Sequence, residues 1–332
     1  MARETAEIPA AVERLLARVD VFTTIAKRIK QAKPRIVVFC GRGSSGHVGV
    51  YLRYLFEIRL GLLASAAAPS VVTAYQHPPE LRDVLFIVLS QSGRSPDLVD
   101  ATRAARKFGA LTLAIVNDEN SPAAAAAELV LPIGAGDEHA IAATKTVALS
   151  MIAGANLVAA LGDDEELADG LQHLPPRLSE ALLCDWSAWA DSAADAAATF
   201  VVGRGYGLGS VREIALKVAE VLRVPTLGYS AAELRHGPRA SITQATPVLL
   251  LRQNDQAAAT VDELVRDLSE AGERVFTAGG AAGTLPWIGD GHPICDPVIM
   301  LMPAYRAIET AARRRGFDPD NPPHLRKVTR TF

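Results

Sequence analysis

The chain has 332 residues, of which 49% are hydrophobic, and its formal net charge is −3. That length fits about two domains, and the apolar content is ample for a buried core in each, so disorder is not the default expectation. The absence of a basic excess excludes nucleic acid or an anionic membrane as the general partner, and it leaves a small molecule or a second copy of the chain.

The N-terminal part of the sequence, residues 1–30, is expected to form a helical segment. Its first 22 residues mix acids and bases with apolar residues and lack the uncharged core of a signal peptide, which predicts a cytoplasmic protein. The cysteines at positions 40, 184 and 295 have neither disulfide-framework nor zinc-site spacing and are predicted to be buried thiols. We expect no metal and no cofactor.

Short apolar runs in the first half predict strands of a parallel sheet that is buried on both faces, because Val, Ile, Leu and Phe follow one another without polar alternation. The intervals between them can hold crossover helices, which is typical of a doubly wound α/β domain. The predicted strands are residues 35–40, 70–75, 83–90, 111–117 and 129–134. The Ala-rich stretch from Thr144 to Leu161 is predicted to be a buried helix and not a membrane span.

The second half repeats this pattern. Its predicted strands are residues 200–205, 224–230, 247–253, 274–280 and 293–301. Gly41-Arg42-Gly43 and Gly203-Arg204-Gly205 each follow the first strand of a half and lie 162 residues apart, which indicates a duplication. We therefore predict an α/β fold of two tandem doubly wound domains, residues 31–165 and 180–318, with a surface connection between them and a C-terminal tail over 319–332.

The segment from Gly41 to Gly46 lies between a predicted strand and a predicted helix and matches the pattern GxGxxG. A dinucleotide site would also need an acidic residue near the end of the second strand, and the predicted second strand has none before Glu80, which disfavours NAD. Two interpretations remain. Ser44 and Ser45 present hydroxyls to a ligand at the strand ends, or the segment is a plain turn.

A serine-rich loop, Ser90-Gln91-Ser92-Gly93-Arg94-Ser95, precedes a helix that opens with Pro96. A helix N-terminus offers unsatisfied N–H groups and the positive end of the helix dipole, so three hydroxyls there predict a phosphate cradle that needs no lysine or metal. Ordinary N-capping is the alternative. Glu138 and Thr144, after the fifth strand, are either capping residues or further members of the same crevice.

Two further groups of candidate functional residues lie in the second half of the chain. Lys217 and Glu220 stand at i and i+3 on one side of a predicted helix, as an exposed salt bridge or as a carboxylate base beside a cation. His236 stands between Leu-Arg and Gly-Pro, where the backbone turns. It is either structural or a group that moves protons near neutral pH.

Taken together, the motifs resemble the sugar isomerase (SIS) domain family, in particular the isomerase half of glucosamine-6-phosphate synthase and the type II glucosamine-6-phosphate deaminases. The resemblance covers about residues 35–332. It depends on Gly-Arg-Gly-Ser-Ser, Ser90 to Ser95, Ala-x-Thr-Lys145, Ala-Leu-Lys217-x-x-Glu220 and Glu233-Leu-Arg-His236-Gly-Pro, in that order.

The resemblance implies roles for individual residues. Glu220 would move a proton between C1 and C2 beside Lys217, and His236 would open the pyranose ring from the partner subunit of a homodimer. Lys327 of the tail would contact the C1–C2 end of the sugar, although the tail departs from the family pattern in continuing as Val-Thr-Arg-Thr-Phe. The implied phosphosugar-binding residues are Gly43, Ser44, Ser45, Ser90, Gln91, Ser92, Ser95, Ala143, which stands in place of a serine, and Thr144.

Ala2 stands where a glutaminase would have its nucleophilic cysteine, so we expect a deaminase/isomerase that converts glucosamine 6-phosphate to fructose 6-phosphate and ammonia, and not a glutamine-dependent synthase. One alternative is an isomerase or deaminase for another (amino)hexose 6-phosphate or a fructosamine phosphate. Another is a sugar-phosphate-sensing regulator, which would need a helix-turn-helix domain. Tyr206 and Gly207 replace the serines in the second half, which predicts one sugar site per chain.

Overall fold

A computed structural model describes residues 1–289 and 291–328, so the last four residues of the predicted tail lie outside the described part. The described chain forms two compact units, each built around its own parallel sheet. The five-stranded unit comprises residues 10–138, 145–172 and 326–328. The four-stranded unit comprises residues 1–9, 139–144 and the described residues of 173–325. The predicted α/β class with two doubly wound sheets is confirmed.

The five-stranded sheet has the order β2-β1-β3-β4-β5. Its strands are β1 (Ile36–Cys40), β2 (Leu63–Ala66), β3 (Val84–Ser90), β4 (Leu111–Val116) and β5 (Leu129–Pro132). Every residue of β3 and β4 is buried, as uninterrupted apolar runs require. The helices up to residue 172 are α1 (Ala2–Ala6), α2 (Ile8–Leu16), α3 (Val19–Ala32), α4 (Gly43–Leu60), α5 (Pro69–Thr73), α6 (Pro96–Lys107), α7 (Pro122–Ala126), α8 (Lys145–Gly162) and α9 (Glu165–Gln172).

The four-stranded sheet has the order β7-β6-β8-β9, which repeats the order of the first four strands of the other sheet. Its strands are β6 (Thr199–Gly203), β7 (Thr226–Ser230), β8 (Val248–Leu251) and β9 (Val275–Ala278). The remaining helices are α10 (Leu174–Ala181), α11 (Ser187–Asp195), α12 (Leu208–Lys217), α13 (Ala231–Arg235), α14 (Ala258–Glu270) and α15 (Asp296–Arg314). Gly43 and Gly205 both have a positive φ, so the duplicated motif also repeats in backbone conformation.

Two predicted strands are wrong. Residues 70–75 lie largely in α5, which begins at Pro69, and the second strand is β2. Proline at the first helical position has the φ that a helix needs, and this outweighs the β-propensity of the two valines that follow. The argument against a dinucleotide still holds, because Ala67, Ala68 and Pro69 follow β2 and none is acidic.

The second wrong strand, residues 293–301, begins α15 instead. Nearly every residue of this helix up to Ala312 is buried. A helix that is buried all round has no polar face, so its sequence shows no helical period and its apolar run looks like a buried strand.

The predicted buried helix is confirmed as α8. It is long and apolar enough to cross a membrane by those two criteria, but 72% of its apolar window is buried within the protein. Gly154 lets α8 approach α4 closely, because a Cβ at that position would lie 2.3 Å from Leu52 Cδ2. Of the predicted buried thiols, Cys40 and Cys295 are buried, and burial raises the pKa of each to about 12, whereas Cys184 is only half-buried.

Candidate active site

The serine-rich loop begins where β3 ends, at the carboxyl edge of the five-stranded sheet. Strand β1 lies beside β3 in parallel, with Cys40 opposite Val88. The loop after β1, which leads to Ser44 and Ser45 in the first turn of α4, is therefore the neighbour of the serine-rich loop. Both serines are half-buried. This is the edge of an open α/β sheet at which ligands bind.

Two serine hydroxyls of this loop accept hydrogen bonds from backbone N–H groups within it. Ser90 Oγ accepts from the Gly93 N–H at 3.0 Å, and Ser92 Oγ accepts from the Arg94 N–H at 3.3 Å. A hydroxyl that accepts in this way still has its own proton to donate. The serine oxygens therefore stabilise the turn of the loop, and their O–H groups are not used in these two bonds.

The hydroxyl of Ser95 is not used in N-capping. Ser95 stands at the N-cap position of α6 but makes no capping hydrogen bond, and Asp97 Oδ1 accepts from the Leu98 N–H instead. In the same chain, Ser121 and Ser230 do cap α7 and α13 with their side chains. The half-buried Ser95 hydroxyl thus remains available to a ligand at the positive end of α6.

The turn of this loop depends on Gly93, which has a φ of +63° and whose absent Cβ would lie 2.1 Å from Ser121 Oγ. We expect Gly93→Ala to lower the free energy of unfolding by more than the roughly 1–2 kcal/mol of a left-handed non-glycine residue, because the clash adds to it. Urea denaturation measures the loss. The matched control is Gly61→Ala, since Gly61 has a φ of +62° and open space around it. Equal losses in the two variants would contradict the packing role of Gly93.

Glu138 is a capping residue with an additional partner. Its buried carboxylate accepts from the N–H and the hydroxyl of Thr146 in the first turn of α8, at 3.0 and 2.7 Å. Lys327 Nζ of the tail lies 3.2 Å from Glu138 Oε2. The capping interpretation therefore describes Glu138, and the same carboxylate also holds the predicted tail lysine within the five-stranded unit.

The segment over residues 139–144 belongs to the four-stranded unit and contains the half-buried Ala143 and the buried Thr144. Buried Glu4 of α1 accepts from the backbone N–H groups of His139 and Ala140. Burial raises the pKa of Glu4, but these hydrogen bonds and the nearby terminal ammonium outweigh burial and leave the pKa below its ordinary value.

Lys217 lies at the centre of a buried charged cluster in the four-stranded unit. Its side chain is only 1% exposed and contacts two carboxylates, Glu213 at 3.5 Å and Glu220 through a short hydrogen bond. Glu213 is fully buried, whereas Glu220 is 20% exposed. Tyr305 of α15 donates to Glu213 at 3.4 Å. The interpretation as an exposed salt bridge is therefore wrong, because the lysine is buried.

The backbone around Glu220 is unusual. Residues Val218–Leu222 continue α12 as a π-helix, which ends at Arg223 in the left-handed conformation. Short π-helical segments occur often at functional sites. Glu220 combines a carboxylate oxygen held by a buried ammonium with a part of its surface that a ligand can reach.

His236 is the exposed residue that ends α13, and its backbone N–H donates to the carbonyl of Glu233. Gly237 follows with a φ of +142°, so the chain turns there as the Gly-Pro sequence predicts. In the second-half loop, Tyr206 is buried and a Cβ on Gly207 would lie 2.0 Å from Gln253 Nε2. The Gln253 amide thus fills space beside this loop.

Sequence reasoning missed two members of the buried cluster. Glu213 stands four residues before Lys217, and that i, i+4 spacing is a signal that could have found it. Tyr305 is separated from Glu213 by 92 residues, and no local pattern announces their contact.

Comparison with known proteins identifies the family to which this chain belongs. The SIS domain family model matches residues 28–160 and 194–277. A crystal structure of a protein from Silicibacter pomeroyi superposes with a TM-score of 0.91 at 36% identity, over 96% of this chain and 98% of that chain. The chain belongs to the SIS domain family, and the resemblance drawn from its motifs is confirmed.

The relatives within that family are enzymes of phosphosugars. An isomerizing glutamine–fructose-6-phosphate aminotransferase of Methanothermobacter thermautotrophicus is 31% identical over 98% of this chain and 56% of its own length. The chain thus spans little more than half of that relative. A glucosamine-6-phosphate deaminase of Thermotoga maritima superposes with a TM-score of 0.82, over 99% of each chain, and its 22% identity shows a shared fold.

Proposed function

We propose that this chain is a deaminase/isomerase that converts glucosamine 6-phosphate to fructose 6-phosphate and ammonia. The observation that carries the proposal is the carboxylate of Glu220, partly open to solvent and held by the buried ammonium of Lys217. Moving a proton between adjacent sugar carbons needs one such carboxylate and no redox cofactor. The deaminase from Thermotoga maritima has the same fold over 99% of its length, so a fold of this kind accommodates that reaction.

The serine-rich loop supplies the phosphate-binding part of the proposal. Ser90, Ser92 and Ser95 donate hydroxyl protons to phosphate oxygens, and the N-terminus of α6 adds its positive dipole end. Gln91, Ser44 and Ser45 bind further polar groups of the ligand. Thr144 and the Ala143 backbone contact the sugar, and Lys327 contacts its C1–C2 end.

The reaction balances with water as the only co-substrate. His236 moves the C1 hydroxyl proton to the ring oxygen, which opens the pyranose to the aldehyde. Glu220 removes the C2 proton, and the electron pair forms an enolamine whose oxygen the nearby cation stabilises. Return of the proton to C1, with transfer of a proton from the nitrogen to the C1 oxygen, gives a C1 hydroxyl and an imine at C2. Water adds there, the carbon–nitrogen bond breaks, and fructose 6-phosphate and ammonia leave.

Ammonia release from glucosamine 6-phosphate tests this directly. We expect turnover by the purified protein, with fructose 6-phosphate formed in equal amount. If the purified protein releases no ammonia from this substrate, the proposal is contradicted. A panel containing galactosamine 6-phosphate, tagatose 6-phosphate and fructosamine phosphates separates the other phosphosugar reactions by ammonia and ketose readouts.

The proposal also includes a homodimer in which His236 acts in the partner's active site. If so, mixing inactive His236→Ala with inactive Glu220→Gln protein restores activity, because each mixed dimer regains one intact site. Random exchange predicts about a quarter of wild-type activity. Kinetic assay after subunit exchange is the measurement. No recovery, although mixed dimers are seen by native mass spectrometry, would show that the histidine acts within its own chain.

A further inference from the structure

Arg42 lies beside the serine-rich loop and is held by a buried carboxylate. It is the second residue after β1, and β1 is the neighbour of β3, where the loop begins. Its Nε donates to Asp97 Oδ2 at 3.1 Å. Asp97 is two residues beyond Ser95, so the guanidinium lies next to the first turn of α6.

Asp97 is itself fixed in place. Its side chain is 2% exposed, and its other oxygen accepts from the Leu98 N–H at 3.0 Å. Both oxygens are thus engaged, one by the helix and one by Arg42. A carboxylate fixed in this way sets the orientation of the guanidinium that it binds.

The pairing leaves the rest of the guanidinium available. Arginine has five N–H donors, and the bond to Asp97 uses the one on Nε. Within residues 1–289 and 291–328 the two terminal nitrogens of Arg42 form no hydrogen bond, and the side chain is 54% exposed. Arg94, the other arginine at this loop, differs because its terminal Nη2 donates to Asp118 at 2.9 Å.

We propose that Arg42 is a specificity-determining residue that binds the phosphate of the substrate with its terminal nitrogens, and that Asp97 positions it. The inference rests on the proposed function only in that it takes the serine-rich loop as the phosphate site. Two parallel N–H groups match two oxygens of a phosphate dianion. The ligand then meets serine hydroxyls, a helix N-terminus and a guanidinium, so the site selects phosphorylated sugars over their unphosphorylated counterparts.

The test is calorimetric binding of fructose 6-phosphate, inorganic phosphate and unphosphorylated fructose at constant ionic strength. A hydrogen-bonded contact to a charged group predicts that Arg42→Gln weakens binding of both phosphate ligands about 10- to 100-fold and leaves fructose unchanged. Arg103→Gln is the matched control, because Arg103 is similarly exposed and pairs with Asp100 on the same helix. The Arg103→Gln variant should bind all three ligands with the affinity of the wild type.

Asp97→Asn tests the positioning role, because asparagine keeps the size and the acceptor for Leu98 but loses the charge that holds Arg42. We expect a smaller loss of phosphate affinity than in Arg42→Gln, and no further loss when the two changes are combined. Additive losses would show that Asp97 acts independently of Arg42.

Unchanged phosphate affinity in Arg42→Gln, or an equal loss for fructose, would overturn the inference while ammonia release by the wild type still stood. Conversely, a wild-type protein that binds fructose 6-phosphate through Arg42 but releases no ammonia would overturn the proposed reaction and support the inference.

Discussion

Replacement of Glu220 by glutamine is expected to lower kcat by about 100- to 10,000-fold, the usual contribution of a general base. Glutamine keeps the size of the side chain and an oxygen that can accept from Lys217, but it cannot take a proton from C2. The fold should hold, because Lys217 keeps its ion pair with the fully buried Glu213. Steady-state ammonia release measures kcat, and thermal unfolding measures the fold.

Proton exchange gives this prediction a second readout. The wild type should exchange the C2 hydrogen of glucosamine 6-phosphate with deuterium from the solvent, and Glu220→Gln should not. Glu270→Gln is the control, because Glu270 lies exposed in the last turn of α14. Full exchange in Glu220→Gln would assign the base to another residue.

Replacement of Lys217 by methionine is expected to destabilise the protein by about 3–5 kcal/mol. Methionine has nearly the volume of lysine, so the loss of stability comes from the missing charge. The variant removes a buried ammonium that lies beside two carboxylates, and Glu213 is fully buried. Removing one partner of a buried ion pair leaves the desolvation cost of the other charge without its compensation.

A second substitution separates the contribution of charge to stability from the contribution of packing. Adding Glu213→Gln to Lys217→Met removes the buried negative charge while Tyr305 can still donate to the amide oxygen. The double variant should therefore regain a large part of the lost free energy of unfolding in urea denaturation. A double variant less stable than Lys217→Met would show that packing, and not charge, makes Lys217 necessary.

The strands that the sequence predicted correctly share one property. In β3 and β4 every residue is apolar or small and every residue is buried, so the run of side chains is itself the signal of a parallel strand between helices. The same signal failed over residues 293–301, because α15 is buried nearly all round and also lacks a polar face.

The residues of the candidate site also fall into two groups, those that the sequence reveals and those that only the folded chain brings together. Ser90 to Ser95 could be picked out because the hydroxyls, the glycine and the following proline are consecutive in the chain. The residues that pair at long range could not be picked out from the sequence. Arg42 and Asp97 are 55 residues apart, and Glu138 and Lys327 are 189 apart.

By itself the sequence determined the α/β class, the duplication and the positions of the serine-rich loop and of the Lys217–Glu220 pair, because these depend on neighbouring residues and on spacing along one helix. Only the tertiary structure decided that Lys217 is buried between two carboxylates and that Asp97 holds Arg42. Burial and long-range pairing arise when separate elements pack together, and a local pattern records neither.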